Sequence, residues 1–180
     1  NKELDEMGGL EKVRNYIGYL RAHIALKKKR KQQGLKSASV SMHMIFTGNP
    51  GTGKTTIIKA IVEIYAEINK YNYETLVDKI ALLAPTGRAS KRMSESTLYP
   101  ASTIHRFLKW NKEENEFLIN EYNKDYSELV IVDEASMIDV LLFSNLLKGL
   151  TNNIKLIIVG DSNQLSSVGP GNMLKDLIDS

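Results

Sequence analysis

The sequence predicts an α/β protein built on a doubly wound parallel sheet, with helices on both faces. Three observations point there. Short, wholly apolar runs alternate with segments of helical period, one such run opens into a glycine-rich loop that leads straight into a helix, and two more end in acidic residues. Strands that alternate with helices pair in parallel, because each helical crossover returns the chain to begin the next strand in the same direction.

The elements follow in order. Val13, Ile17, Leu20 and Ile24 recur at spacings of four, three and four, the period of one helix face. That helix is expected from near Leu10 to about Gln33, stopping at Gly34, with "SASVS" as a short polar linker. "MHMIFT" (Met42–Thr47) is a strand. The helix "KTTIIKAIVEIYAEINK" follows the loop and sets Ile57, Ile61, Ile64 and Ile68 on its apolar face. "KIALLAP" is a strand, "TGRASKRMSES" a loop opening a helix, and "STIHRFLKW" a short helix. "NKEENEFLINEYNKDY" is a polar excursion with weak strands. "ELVIVDEA" is a buried strand, "MIDVLLFSNLLKGL" a helix, "IKLIIVGD" another strand and "GNMLKDLIDS" a last helix.

Composition narrows the class. A chain of 180 residues with 42% hydrophobic residues can bury a full core. It has no cysteine, which removes disulfides and thiolate metal sites. No apolar run approaches a membrane span, and "NKELDEMGGL" lacks a signal-peptide layout, so the expectation is a soluble cytoplasmic protein without membrane contact. Charge is uneven. Residues 1–40 hold ten Lys/Arg against four Asp/Glu, and residues 41–180 hold fourteen against seventeen. Hence a division is expected between a basic helical extension over 1–40 and a nucleotide-binding domain over 41–180. The run "KKKRK" (Lys27–Lys31) suits either nucleic acid or a solvated helix end.

The motif "GNPGTGKTT" carries the chemistry. Gly48, Gly51 and Gly53, with Asn49, Pro50 and Thr52 between them, let backbone N–H groups turn toward phosphate oxygens, and the helix N-terminus beyond Lys54 adds its dipole. Lys54 is expected to reach the β- and γ-phosphates, Thr55 to ligate Mg2+, and Thr56 to complete the ATP cradle. In "LVIVDEAS" four apolar residues carry Asp133 and Glu134 to the C-terminal edge of the sheet, where ligands bind in such folds. Asp133 is expected in the magnesium shell and Glu134 to polarise the attacking water. In "LIIVGDSNQL", Gly160 and Asp161 end a strand, and Gln164 can reach a phosphate or that water.

"APTGRASKRM" sets Thr86, Gly87 and Arg88 at another strand end, with Lys91 and Arg92 one turn on. A hydroxyl, a backbone N–H and cations at a helix start suit a nucleic-acid phosphate. "STIHRFLKW" adds Ser102, Thr103, His105 and Arg106, with Phe107 and Trp110 either packing or stacking on bases. The histidines lack metal-ligand spacing.

Taken in order, "GNPGTGKTT", "APTGRASKRMSE", "ASTIHRFLKW", "LVIVDEASMID" and "VGDSNQLSSVGPGNMLKDLI" resemble the first RecA-like domain of a RecD-like superfamily 1 DNA helicase, over about Thr47–Ser180. The resemblance implies a P-loop NTPase with Lys54, Thr55, Asp133, Glu134 and Gln164 at the ATP site. It further implies single-stranded DNA as partner, touching or flanking the segments of Thr86, Arg88 and His105. Asn163 and Ser166 depart from the Asp and Pro expected there. The N-terminal part, with Gly9, Leu10 and Val13, is similar instead to AAA+ ATPases of the CbbX and stage V sporulation protein K kind, in which that segment borders the adenine. Gln32 and Gln33 do not fit the adenine-reading glutamine helix of RecD-like helicases. The chain therefore resembles a hybrid fused at the phosphate loop.

Such helicases need a second RecA-like domain to supply an arginine to the transition state. No segment after Gln164 matches one, so ATP binding, slow hydrolysis and no unwinding by this chain alone are expected. Two other functions remain open at this point. One is an AAA+ protein remodeller that self-associates as a ring, and the other is a nucleotide-binding module without turnover.

Overall fold

The computed structural model describes residues 43–48, 54–161 and 173–179, together with Gly18, Ala22, Lys29 and Gln33. Gly18, Ala22 and Lys29 are helical, and the Gln33 N–H donates to the Lys29 carbonyl at 3.2 Å. The rest of the expected N-terminal helix, with Gly9, Leu10, Val13, Gln32 and most of the basic run, lies outside the described residues. So do Asn49, Pro50, Gly51, Thr52, Gly53, Asn163, Gln164 and Ser166.

The sheet is parallel and five-stranded. Its strands are β1 (Met44–Thr47), β2 (Ile80–Ala84), β3 (Ala101–Thr103), β6 (Leu129–Val132) and β7 (Lys155–Gly160), in the spatial order β1-β7-β6-β2-β3. A separate antiparallel pair, β4 (Trp110–Asn111) and β5 (Glu116–Phe117), forms the polar excursion. The helices are α1 (Lys54–Asn69), α2 (Tyr73–Lys79), α3 (Gly87–Thr97), α4 (Ile104–Phe107), α5 (Val140–Gly149) and α6 (Met173–Asp179).

Strand periodicity divides the core in two, since successive side chains of a strand point to opposite faces. Ile80, Leu82, Leu129, Ile131, Ile157 and Val159 pack with Ile57, Ile58, Ile61 and Val62 of α1, Leu76 of α2 and Met93 of α3. Ala81, Leu83, Val130, Val132, Leu156 and Ile158 pack on the other face, with Ile104 of α4, Leu142, Phe143 and Leu146 of α5, and Met173 and Leu174 of α6. Strands covered on both sides must be apolar at every position, as β2 and β6 are. Ile57, Ile61 and Ile64 of the expected α1 face are buried, whereas Ile68 is only half-covered.

Three elements differ from expectation. The helix expected over Ser102–Trp110 divides. Ala101–Thr103 is an edge strand in register with Leu82–Ala84, α4 is a single turn, and Trp110 already belongs to β4. Residues 101–103 pair with β2, and Thr103, extended at the end of that strand, caps α4 by accepting from the Arg106 N–H at 3.2 Å, which sets the start of the helix. The helix expected from Met137 begins only at Val140. Asp139 caps it by accepting from Leu142 N–H at 2.7 Å, and Ala135–Met137 form a 3-10 turn before it. Helix α2, which the periodicity did not announce, is capped by Asn72 and buries Leu76 alone.

At the N-terminal edge of the strands a polar cluster ties α1 to β6. Glu128 accepts from the Tyr65 hydroxyl at 2.8 Å and from Tyr71 at 3.1 Å, and pairs with Lys79 at 3.3 Å. The Lys155 ammonium lies 5.3 Å from the centre of the Tyr65 ring. Burial, reinforced by the bond to Glu128, pushes the Tyr65 and Tyr71 hydroxyls above the ordinary tyrosine value. Burial alone would raise Glu128. The hydrogen bonds from Tyr65, Lys79 and Tyr71 outweigh it and hold that carboxyl below its usual range.

Candidate nucleotide and nucleic-acid site

The chemistry expected from sequence gathers at the opposite, C-terminal edge. Because β7 lies between β1 and β6, the ends of all three strands lie in adjacent positions. Thr47 is in register with Gly160, and the Gly48 N–H donates to the Gly160 carbonyl at 3.2 Å. Lys54 opens α1, and its ammonium donates to the Gly48 carbonyl at 2.8 Å. Thr55 and Thr56 follow in the first turn, half-buried. A crevice beyond the carboxyl ends of parallel strands is where ligands of open α/β sheets bind.

Asp133 directly follows β6 and is 6% exposed. Burial pushes its carboxyl above the usual range. The Glu134 backbone N–H, donating at 2.8 Å, works against this, as do the Lys54 and Arg92 cations, while the Glu134 charge adds to it. Lys54 and Asp133 thus act on each other electrostatically at the strand ends. Asp161, after β7, is buried as well.

The Thr55 hydroxyl and Lys54 ammonium in the first turn of α1, with the buried Asp133 carboxylate after β6, form a donor set suited to a magnesium-bound triphosphate. Mg2+ takes few protein ligands and keeps waters and phosphate oxygens. Among the described residues no group of three or more His, Cys, Asp or Glu could hold a metal by itself.

Glu134 adopts left-handed backbone geometry, φ 55°, at the entry to the 3-10 turn. This is uncommon for a residue with a side chain and marks a constrained position. Its carboxylate is in direct contact with the Arg92 guanidinium of α3, a pairing the sequence did not announce because the partners lie 42 positions apart. The only available signal was the helical spacing of Arg88 and Arg92, which stacks them on one face.

The residues expected to meet DNA divide into two places. Thr86 caps α3 by accepting from Ala89 N–H at 3.2 Å, and Gly87 and Arg88 follow, exposed. Thr86, Arg88, Lys91, Arg92 and Glu134 line an open cavity of about 500 Å³. His105, exposed on α4, lines a different cavity of about 700 Å³ with Trp110, Phe117, Asn145 and Lys148. Its ring lies 5.8 Å from Phe117, which meets Trp110 edge-on at 4.7 Å. Trp110 is exposed, whereas Phe107 is half-buried against the core. Among the described residues no helix is long and apolar enough to cross a membrane.

The AAA domain family model matches residues 31–170. Among curated proteins, the chain is 34% identical to the RecBCD enzyme subunit RecD of Buchnera aphidicola, over 81% of this chain and 27% of that protein. It is 35% identical to the ATP-dependent RecD2 DNA helicase of Deinococcus radiodurans, over 81% of this chain and 20% of that protein. The chain thus spans about a quarter of the length of the curated relatives it matches. In fold it is similar to a Pif1 helicase from Bacteroides in complex with ADP-AlF3 and ssDNA, with a TM-score of 0.50 at 20% identity, over 84% of this chain and 35% of that one. The chain belongs to the AAA domain family, and its RecD and RecD2 relatives identify it as a RecD-like superfamily 1 RecA-like domain.

Proposed function

We propose that the chain is the ATP-binding and ATP-hydrolysing domain of a RecD-like DNA helicase acting on single-stranded DNA. The observation that carries this reading is that Lys54, at the start of the helix after β1, acts electrostatically on Asp133 after β6 at the same sheet edge, with Glu134 paired to the helix that bears Thr86 and Arg88. The relatives, one of which is named an ATP-dependent DNA helicase, support the same reading.

In this proposal the backbone of residues 48–53 and Lys54 hold the ATP phosphates, with Thr56 completing the cradle. Thr55 and Asp133 would hold Mg2+, which supplies positive charge to offset that of the phosphates. Glu134 accepts a proton from the attacking water as its oxygen bonds to the γ-phosphorus and the bond from that phosphorus to the β–γ bridging oxygen breaks, releasing ADP and phosphate, and Gln164 orients that water or the phosphate. Thr86, Gly87, Arg88 and His105 contact the DNA backbone or its bases. Residues 41–180 form the motor domain, residues 1–40 a basic extension, and a second RecA-like domain completes the motor. A cytoplasmic location fits this chemistry.

The test is ATPase activity with and without oligo(dT), alone and with a second RecA-like domain supplied. Stimulation by the oligonucleotide supports the reading. ATP-dependent hexamers indifferent to DNA would replace it with a protein remodeller. ATP binding without turnover, even with the second domain, would leave only a nucleotide-binding module.

A further inference from the structure

The contact between Arg92 and Glu134 has an asymmetry that gives it a function. Glu134 is confined: its backbone is left-handed, its N–H is held by Asp133 at 2.8 Å, and its side chain is only 20% exposed. The Arg92 side chain is 63% exposed and reaches Glu134 from a long flexible stem. Arg92 also lines the same cavity as Thr86, Arg88 and Lys91, together with the Glu95 and Glu134 carboxylates; Lys91 pairs with Glu95 at 3.9 Å, so an entering phosphate would draw chiefly on Arg88 and Arg92. A guanidinium binds carboxylate and phosphate through the same forked donors, so the two anions compete for it.

We infer that Arg92 is a positioning residue that couples DNA to hydrolysis. Without DNA it occupies the Glu134 carboxylate. When a backbone phosphate enters the α3 cavity, Arg92 moves to the phosphate, and Glu134 is released to accept the proton of the attacking water. The inference rests on the proposed roles of Glu134 as base and of α3 as a DNA contact. It adds the link between them.

Coupling of this kind is reciprocal, so binding alone can test it. Affinity for a fluorescent oligo(dT) is measured by anisotropy for the wild-type chain, Glu134→Gln, Arg92→Ala and the double variant. Glu134→Gln removes the competing charge and is expected to tighten DNA binding about threefold, the scale of a partly exposed ion pair. In the Arg92→Ala background the same change should do nothing. In turnover, Arg92→Ala should raise the DNA-free rate and shrink the stimulation by oligo(dT), and Arg92→Lys should lie between. An equal effect of Glu134→Gln with and without Arg92, or no effect in either, overturns the inference while leaving the helicase reading intact. Failure of the wild-type chain to bind oligo(dT) refutes that reading, and the inference falls with it.

Discussion

The Lys54 ammonium rests on the Gly48 carbonyl, 2.8 Å away, at the mouth of the loop that joins them. In the proposed ATP site the lysine exchanges this neutral carbonyl for a phosphate oxygen as acceptor. A charge-assisted bond to phosphate is worth about 1.5–3 kcal/mol. Lys54→Ala is therefore expected to weaken ATP binding more than about tenfold, below detection by calorimetry. Unchanged affinity would refute the assignment of the loop.

Glu134→Gln keeps the shape of the side chain and removes its basicity. ATP affinity should stay within about twofold, while turnover falls by about 10²–10⁴, the usual contribution of a general base. Rapid-quench measurement of phosphate release separates the two quantities. Retained hydrolysis would mean that another group takes the proton.

The Tyr65–Glu128 bond predicts stability that declines at both ends of the pH scale. The folded Tyr65 hydroxyl ionises above the ordinary tyrosine value. Above about pH 10 the unfolded chain therefore loses that proton first, and stability falls as pH rises. Glu128 is depressed, so its contribution is complete above the ordinary glutamate value and is lost as pH falls through the folded one. Tyr65→Phe should cost about 1–2 kcal/mol near neutrality and make the alkaline decline shallower, since Tyr71 still titrates. Urea melts from pH 3 to 11 report this, and parallel curves for the two proteins would contradict it.

Two glycines should respond in opposite ways. A Cβ on Gly160 would lie 2.6 Å from the Leu174 side chain, itself 1% exposed, and 3.4 Å from the Ser136 nitrogen. Gly160→Ala should destabilise by about 1–3 kcal/mol, the cost of overpacking. At Gly87 nothing lies within 4 Å of the added atom. Gly87→Ala should leave stability within about 0.5 kcal/mol and weaken oligo(dT) binding, if that open space receives the DNA backbone. Thermal melts and anisotropy distinguish the two outcomes.

Elements that bury a face were legible in the sequence, and those that do not were not. β2 and β6 are apolar at every position, and α1 shows its isoleucines at helical spacing, so each announces itself. Helix α2 buries only Leu76 and leaves no period to read, although Asn72 was a usable cap signal. β3 is a half-buried "AST" whose strand character comes wholly from pairing with β2. In the site, Asp133, Glu134 and Asp161 could each be placed just after the end of a strand. The Arg92–Glu134 contact could not, because it depends on β2 and β6 being neighbours in the sheet.

The position of β7 also bears on how the protein is made. β1 has β7 as its only strand partner among the described residues, so Met44 must wait for Ile157. While the chain emerges from the ribosome, β1 has no neighbour, and the isoleucines of α1 lack the part of their cover that β7 supplies. Long-range parallel pairing of this sort is slow and leaves apolar surface open in the interval. Nascent chains halted before Lys155 should therefore bind chaperones and be cut readily by protease. Those in which β7 has also cleared the ribosome should be resistant.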